Sequence, residues 1–151
     1  MGSMEKGEVN IHPMERKDID AVLAIDRRIS LTRSIFTRRE LSACDPGGPL
    51  DLSFVAEVEN KTVGFVLARL AYVGIPVTEV GIIQAVAVDP DYRREGIGAR
   101  LLSALSSCCQ SEGISQLRVG VNERDTQLKD FFENLGFRRS ELVNYTKTFK
   151  T

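Results

Sequence analysis

Two arginines and two glycines stand close together at Arg93, Arg94, Gly96 and Gly98, and they form a candidate site for a phosphate anion. From Ile97 onward apolar residues recur at helical spacing, which predicts that a helix begins at the glycines. The first N–H groups of a helix have no intrahelical partner, and its macrodipole makes that end partially positive. Glycine lets a ligand approach the backbone closely, and arginine adds positive charge. A diphosphate fits this chemistry.

Two common diphosphate-binding motifs do not match the stretch. A P-loop needs Lys followed by Ser or Thr after its last glycine, whereas Ala99 and Arg100 follow Gly98 here. A dinucleotide-binding fingerprint needs a third glycine near position 101, which is Leu101. Both motifs are therefore excluded.

A short apolar strand precedes the glycines and must position them. The run Ala85–Val88 carries no charge, which predicts a strand buried on both faces, and Asp89–Asp91 ends it as a turn. The helix after the turn is predicted to run from about Gly98 to Glu112 and to end at Gly113, a typical carboxy-terminal cap.

This order of strand, turn, glycines and helix resembles the signature of the GCN5-related N-acetyltransferase (GNAT) superfamily, Arg/Gln-x-x-Gly-x-Gly/Ala. Arg93, Gly96 and Gly98 satisfy that signature, and Leu135-Gly136-Phe137 stands later in the family's order. The resemblance covers roughly residues 9–149. It implies the family's α/β (α+β) fold, with a mixed central sheet of about six to seven strands flanked by about four helices.

The resemblance also implies acetyl-coenzyme A as co-substrate, without a metal. In the family, the amides of this loop hold the pyrophosphate, and the preceding strand pairs with the pantetheine arm. The positions that are implied to contact the coenzyme are Val86, Ala87, Val88, Arg93, Arg94, Glu95, Gly96, Ile97, Gly98, Ala99, Asp125 and Phe132.

Acetyl transfer to an amine requires a neutral amine, a polarised carbonyl and a proton for the leaving thiolate. The resemblance implies that a backbone amide before the loop polarises the carbonyl, and Val86 or Val88 occupies that place. The family often uses a Glu on the same strand as base, and Glu79 is the acidic candidate here. The alternatives for Glu79 are a solvated edge residue or a partner for a substrate ammonium.

The general acid is the point at which the chain departs from the family pattern. In the motif Asn-x-x-Ala-x-x-x-Tyr-x-x-x-Gly-Phe, the first three named positions are Asp125, Leu128 and Phe132. Phenylalanine cannot donate a proton, which leaves water or Tyr145 as the source. Two hypotheses therefore stay open: an acyl-coenzyme A-dependent N-acyltransferase that acts on a primary amine, and a catalytically silent acyl-coenzyme A sensor with the same fold.

The remaining chain predicts strands and helices in a single domain over residues 4–151, with residues 1–3 as an expression scar. Strands are predicted at Val9–Met14, Phe54–Val58, Thr62–Leu70, Val77–Val88, Leu117–Val121 and Phe137–Phe149. A helix with the apolar face Ile19, Val22, Leu23 and Ile25, a short helix at Ser34–Leu41 and a helix capped by Asp125 and ended by Gly136 complete the set. The loop Ala43–Pro49 is a candidate substrate lid or a plain surface connection.

Composition limits the partners and the compartment. Hydrophobic residues make up 42% of the 151 residues, charged residues make up 27%, and the net charge of −1 argues against nucleic-acid or membrane partners. The chain has no apolar run of membrane-spanning length and no signal-peptide pattern, so a cytoplasmic location is predicted. The expected partners are acetyl-coenzyme A and an amine acceptor, and an exposed last strand would allow a homodimer.

Cysteine and histidine usage favours free thiols. Cys44, Cys108 and Cys109 make an odd count, and the two adjacent thiols point in different directions on a helix. His12 is the single histidine, so a zinc site at the usual ligand spacing is not predicted.

Overall fold

The computed structural model describes residues 7–29 and 38–150. These residues belong to two units, one within residues 1–120 and the other within residues 121–151. The first unit contains the strands β1 (Val9–Pro13), β2 (Phe54–Val58), β3 (Lys61–Val73), β4 (Thr78–Val88) and β5 (Leu117–Val119), and the helices α1 (Ile19–Ile29), α2 (Arg38–Ala43) and α3 (Ile97–Ser111). The second unit contains α4 (Thr126–Asn134).

The strands form one mixed sheet in the order β1-β2-β3-β4-β5. The first three pairings are antiparallel, and β4 pairs with β5 in parallel. The β2–β3 hairpin turns at Glu59 and Asn60, whose φ angles are +50° and +66°. The polar hairpin turn predicted from the sequence is therefore confirmed.

The alternation of side chains along β3 separates two layers of core. Phe65 and Leu67 pack in one cluster with the buried side of α1. Gly64 faces the other way, since a Cβ added there would lie 3.3 Å from side-chain atoms of both Ile97 and Leu101 on α3. Because neighbouring strand residues point to opposite faces, α1 and α3 pack on opposite faces of the sheet.

Both helices bury the faces that the sequence predicted. The apolar side chains of α1 at Ile19, Val22, Leu23 and Ile25 are buried, and so are those of α3 at Ile97, Leu101, Leu102 and Leu105. The α1 helix follows a 3-10 turn, Arg16–Asp18, in which the Asp18 carboxylate accepts a hydrogen bond from the Glu15 N–H. Helix α3 ends just before Gly113, whose φ of +77° favours glycine.

The predicted last strand is not formed. Residues 137–150 contain no strand, and Leu142, Val143, Tyr145 and Phe149 are exposed. Alternating apolar residues suit a strand, but a strand also needs a partner for its backbone groups, and the described residues of the second unit contain none. The sheet of the described residues therefore has five strands rather than the expected six to seven.

The region between α1 and β2 agrees with the prediction only in part. The short helix is Arg38–Ala43, and the part of the predicted helix before residue 38 lies outside the described residues. In the following loop, the Gly47 N–H donates to the Asp51 carboxylate at 2.9 Å, and Arg16 contacts Asp45 at 3.0 Å. Polar contacts thus hold the candidate lid at Asp45 and Gly47.

The thiols of Cys44, Cys108 and Cys109 are free. Burial raises the pKa of the Cys109 thiol, which disfavours the reactive thiolate. Within the described residues, no helix has both the length and the apolar character needed to cross a membrane.

Candidate functional site

Strand β4 carries a bulge at Gln84. Along the β3–β4 pairing, Leu67 lies opposite Ala85 and Ala68 lies opposite Ile83, so Gln84 is an extra residue without a partner on β3. An extra residue bends the strand and changes which later main-chain groups face the neighbour. The bulge divides β4 into a first part, Thr78–Ile83, and a second part, Ala85–Val88.

Strand β5 pairs only with the first part of β4. Gly81–Ile83 lies opposite Leu117–Val119, and β5 ends there. In the described part of the first unit, no strand pairs with Ala85–Val88 on the side that β5 would occupy. We call this side of Ala85–Val88 the open edge. It explains why these four residues are half-buried rather than buried on both faces as predicted.

The direction of the main chain along the open edge follows from one hydrogen bond. The Asp89 N–H donates to the Val63 carbonyl at 2.7 Å, so the Asp89 main chain faces β3. Residues that face the partner alternate with residues that face away, which turns Val86 and Val88 toward the open edge. The Val88 carbonyl agrees, since it accepts a hydrogen bond from Arg93 Nε at 3.3 Å. The Val86 N–H therefore points out of the sheet edge.

The turn after β4 is organised by the side chain of Asp89, which is only 2% exposed. Its Oδ1 accepts from the Asp91 N–H at 2.9 Å, and its main-chain carbonyl accepts from the Tyr92 N–H at 2.8 Å. Its Oδ2 lies 2.5 Å from Nη1 of Arg28 on α1. The turn is thereby attached to a helix that lies 61 residues earlier in the chain.

The stretch Arg93–Gly98, called the phosphate loop below, joins this turn to α3. Arg94 and Gly96 have φ angles of +68° and +75°, and Gly96 is the N-cap of α3. A Cβ at Gly96 would meet no atom within 4 Å, so glycine is needed there for its conformation rather than for space. Left-handed residues beside a helix start arrange successive N–H groups into an anion-binding concavity.

The amides at the start of α3 are available to a ligand. The first intrahelical bond runs from the Arg100 N–H to the Gly96 carbonyl at 3.0 Å, so the preceding N–H groups have no acceptor within the helix. Residues 93–96 are exposed. The open edge and the phosphate loop meet where Arg93 contacts Val88. Together they suit a ligand with an extended, hydrogen-bonding arm and a diphosphate.

The structure does not bring Glu79 to this site. Glu79 lies on the first part of β4 and accepts a hydrogen bond from the Tyr72 hydroxyl at 2.7 Å. That hydrogen bond and the negative charge of Glu79 raise the pKa of Tyr72. At about 3.3 Å per residue, a strand separates Glu79 from Val86 by roughly 20 Å. Direct proton transfer to Glu79 from an amine beside Val86 is not expected over that distance, and the role of Glu79 as base stays a prediction.

The remaining predicted site residues lie in the second unit. Asp125 caps α4 as predicted, and its carboxylate accepts from the Leu128 N–H at 3.0 Å. Phe132 is 3% exposed, and its ring packs edge to face against Phe131 and Phe137 with centroids 5.1 Å apart in each pair. Tyr145 is 95% exposed. Each of these side chains thus has a local role or a solvent-exposed position within its own unit.

Sequence reasoning missed two parts of the site. The only signal for the bulge is a polar Gln84 within an otherwise apolar run, and that signal fits an ordinary strand equally well. The pairing of Arg28 with Asp89 joins distant parts of the chain and leaves no local pattern. Among residues 7–29 and 38–150, no three His, Cys, Asp or Glu side chains are grouped as they would be for a metal ion.

Sequence comparison connects this arrangement with acetyltransferases. A family model described as an acetyltransferase (GNAT) domain matches residues 49–139. An uncharacterized N-acetyltransferase of Methanocaldococcus jannaschii is 37% identical over 60% of this chain, and the match spans 40% of that relative's length. The ribosomal protein bS18-alanine N-acetyltransferase of Escherichia coli is 26% identical over 91% of this chain and 87% of its own. An aminoglycoside N(6')-acetyltransferase of Stenotrophomonas maltophilia is 30% identical over 69% of both chains.

Solved structures show the same fold. The aminoglycoside N-acetyltransferase AAC(6')-Iy, in complex with a bisubstrate analog of coenzyme A, has a TM-score of 0.81 at 15% identity and covers 95% of this chain and 100% of its own. The ribosomal-protein-S18-alanine N-acetyltransferase of Escherichia coli has a TM-score of 0.74 at 23% identity, with 88% of this chain and 79% of its own covered.

Proposed function

Because this chain belongs to the GNAT family of acetyltransferases, we propose that it transfers the acetyl group of acetyl-coenzyme A to a primary amine. The observation that carries the proposal is the open edge of β4 after the Gln84 bulge, directly beside the phosphate loop. Two kinds of backbone donor lie there in sequence: the outward-facing Val86 N–H and the free amides at the start of α3. The Val86 N–H matches the thioester carbonyl of acetyl-coenzyme A, and the amides of α3 match its diphosphate.

In this proposal the phosphate loop holds the diphosphate. The N–H groups of Ile97, Gly98 and Ala99 donate to its oxygens, and the positive end of the α3 dipole favours its charge. Arg94 is exposed beside these amides and adds positive charge. The amide groups of the pantetheine arm then pair with the open edge in the manner of an added strand.

The chemical step is a direct attack by the amine nitrogen on the thioester carbonyl carbon. The Val86 N–H donates to the carbonyl oxygen and stabilises the negative charge that develops there. A C–N bond forms and the C–S bond breaks, so the products are an amide and the thiolate of coenzyme A. The amine proton leaves to solvent, and the thiolate takes a proton from water.

The base in this mechanism is not Glu79, given the length of strand between Glu79 and Val86. We propose instead that the amine reaches the site already neutral, as a minor fraction of the amine in solution. The rate then follows the ionisation of the amine itself, rising with pH until the amine is fully deprotonated.

The acceptor class is the finer part of the proposal. Relatives are named for acetylation of the alanine of ribosomal protein bS18 and for acetylation of an aminoglycoside at N6'. Both names describe an amine acceptor. A peptide with an amino-terminal alanine and an aminoglycoside are therefore the two acceptors to test first.

The donor assignment predicts the behaviour of Gly98→Val, in which a branched side chain stands among the amides that hold the diphosphate. We expect acetyl-coenzyme A affinity to fall at least about tenfold, since several charge-assisted hydrogen bonds are lost together. Calorimetric titration measures the change. The matched control is Ser103→Val, which adds a similar side chain at an exposed position of the same helix. Equal affinity in the two variants would place the diphosphate elsewhere.

A further inference from the structure

We propose that Arg28 is a positioning residue that sets the affinity for acetyl-coenzyme A by fixing the turn before the phosphate loop. The inference rests on the proposed function in one respect, the identity of the ligand. The geometry behind it lies entirely in the first unit and concerns Arg28, Asp89 and Asp91.

The Asp89 carboxylate is the centre of this arrangement. It is 2% exposed, and it lies where β4 ends and the turn begins. A buried carboxylate is costly unless its oxygens accept hydrogen bonds or pair with a cation. Asp89 has both kinds of partner, since Oδ1 accepts from the Asp91 N–H and Oδ2 from the Arg28 guanidinium.

The guanidinium of Arg28 contacts both acids of the turn. Nη1 lies 2.5 Å from Asp89 Oδ2, and Nη2 lies 3.3 Å from Asp91 Oδ2. The rigid planar fork of arginine can hold two carboxylates at once, which a lysine ammonium on its flexible stem does less well. Arg28 is the second-last residue of α1, so its guanidinium connects the end of that helix to the turn.

The turn at residues 89–92 also fixes the start of the phosphate loop. Asp89 binds the N–H groups of Asp91 and Tyr92, and Arg93 then reaches back to the Val88 carbonyl. Without Arg28, the buried Asp89 carboxylate would keep the Asp91 N–H as its one hydrogen-bond donor, and it would move toward water. The loop would then spend less time with its amides aligned, so binding would weaken while the chemical step after binding stays the same.

The experiment compares Arg28→Gln with Arg27→Gln, which removes the same charge from the neighbouring exposed position of α1. Amide hydrogen exchange of Asp91 and Tyr92 is measured without ligand, and acetyl-coenzyme A affinity is measured by calorimetry. We expect Arg28→Gln to speed exchange and weaken affinity by about tenfold each, the effect of losing a charged hydrogen bond. Arg28→Lys should lie between parent and Arg28→Gln. Arg27→Gln should match the parent.

Two further readouts separate positioning from general loss of stability. The KM for acetyl-coenzyme A should rise in Arg28→Gln while kcat at saturation stays within about twofold. In a double-mutant cycle, adding Asp89→Asn to Arg28→Gln should change affinity little, because both substitutions break one interaction. Additive losses would overturn the role of Arg28, and so would equal amide exchange in Arg28→Gln and Arg27→Gln. A parent protein that binds no acetyl-coenzyme A would overturn the proposed function instead, and amide exchange would still decide whether Arg28 holds the turn.

Discussion

At the scale of single residues, the proposed chemistry depends on main-chain groups more than on side chains. Val86 contributes an N–H, and its side chain takes no part in the proposed step. What matters is that Val86 follows the bulge and therefore faces the open edge. A valine at this position is uninformative in the sequence, so only the resemblance to the family, and not the residue type, indicated Val86.

At the residue scale, replacing the Glu79 carboxylate is expected to have no effect on the pH dependence of catalysis. Glu79→Gln should leave the dependence of kcat/KM on pH unchanged, because residues 79 and 86 are separated by roughly 20 Å of strand. The profile should rise with pH in both proteins until the amine is deprotonated. Tyr72→Phe is the matched control, since it removes the hydroxyl that contacts Glu79. A selective loss of activity at low pH in Glu79→Gln would restore Glu79 as the base.

His12 gives a residue-scale prediction about pH and stability. Partial burial lowers the pKa of His12, but the Pro13 carbonyl and the Glu57 carboxylate, 2.9 Å away, together outweigh it and raise the pKa above 6.5. Asp18 acts in the same direction. A raised pKa stabilises the fold fully below pH 6.5, and the contribution is lost as pH rises through the folded pKa.

The test is the unfolding free energy of His12→Gln against the parent across that range. The parent should be more stable at pH 5.5, by no more than about 1 kcal/mol for a partly exposed pair, and the two proteins should converge by about pH 8.5. A difference that grows with rising pH would contradict the raised pKa.

At the scale of elements, the sequence predicts the helices and the inner strands well, but it predicts strand pairing at the sheet edges poorly. Helical spacing of apolar residues and glycine at the ends located α3 and α4, because each helix buries one face whatever its neighbours are. The bulge at Gln84 and the missing last strand depend on which backbone pairs with which. Hydrophobic alternation does not carry that information. The predicted last strand was therefore wrong, and the bulge at Gln84 was missed.

Phe132 on α4 supplies the element-scale prediction. Its buried ring packs against Phe131 and Phe137, so a phenol at this position has to bury a hydroxyl. We expect Phe132→Tyr to lower the unfolding free energy by about 1–3 kcal/mol. Phe131→Tyr should cost less, because Phe131 is only half-buried. Denaturant unfolding measures both.

A Phe132→Tyr protein that keeps its stability and raises kcat would give the opposite result. It would mean that the new hydroxyl supplies the proton that the family's motif assigns to a tyrosine at this position. Unchanged stability with unchanged kcat would mean that the hydroxyl reaches solvent or a hydrogen-bond partner. It would also mean that a hydroxyl at position 132 does not serve as the general acid.

At the scale of the whole molecule, distant parts of the sequence meet at the proposed coenzyme site. Arg28 and Asp89 pair across 61 residues, and the open edge exists because β5 stops after three residues of pairing. Neither feature has a local signature. The family match over residues 49–139 covers β4, the phosphate loop and α3, whereas Arg28 lies before it. Sequence reasoning therefore reached the proposed coenzyme site but not the Arg28–Asp89 contact beside it, and the acceptor depends on surfaces that no motif describes.

The central claim is acetyl transfer, and release of free coenzyme A tests it most directly. The protein is mixed with acetyl-coenzyme A and either a peptide with an amino-terminal alanine or an aminoglycoside. Free thiol is followed with a thiol reagent, and the acetylated amine by mass spectrometry. We expect thiol and acetylated amine to form in equal amounts with at least one acceptor, and Gly98→Val to reduce both. Tight binding of acetyl-coenzyme A without amine-dependent thiol release would contradict the claim and would indicate a silent sensor of acyl-coenzyme A.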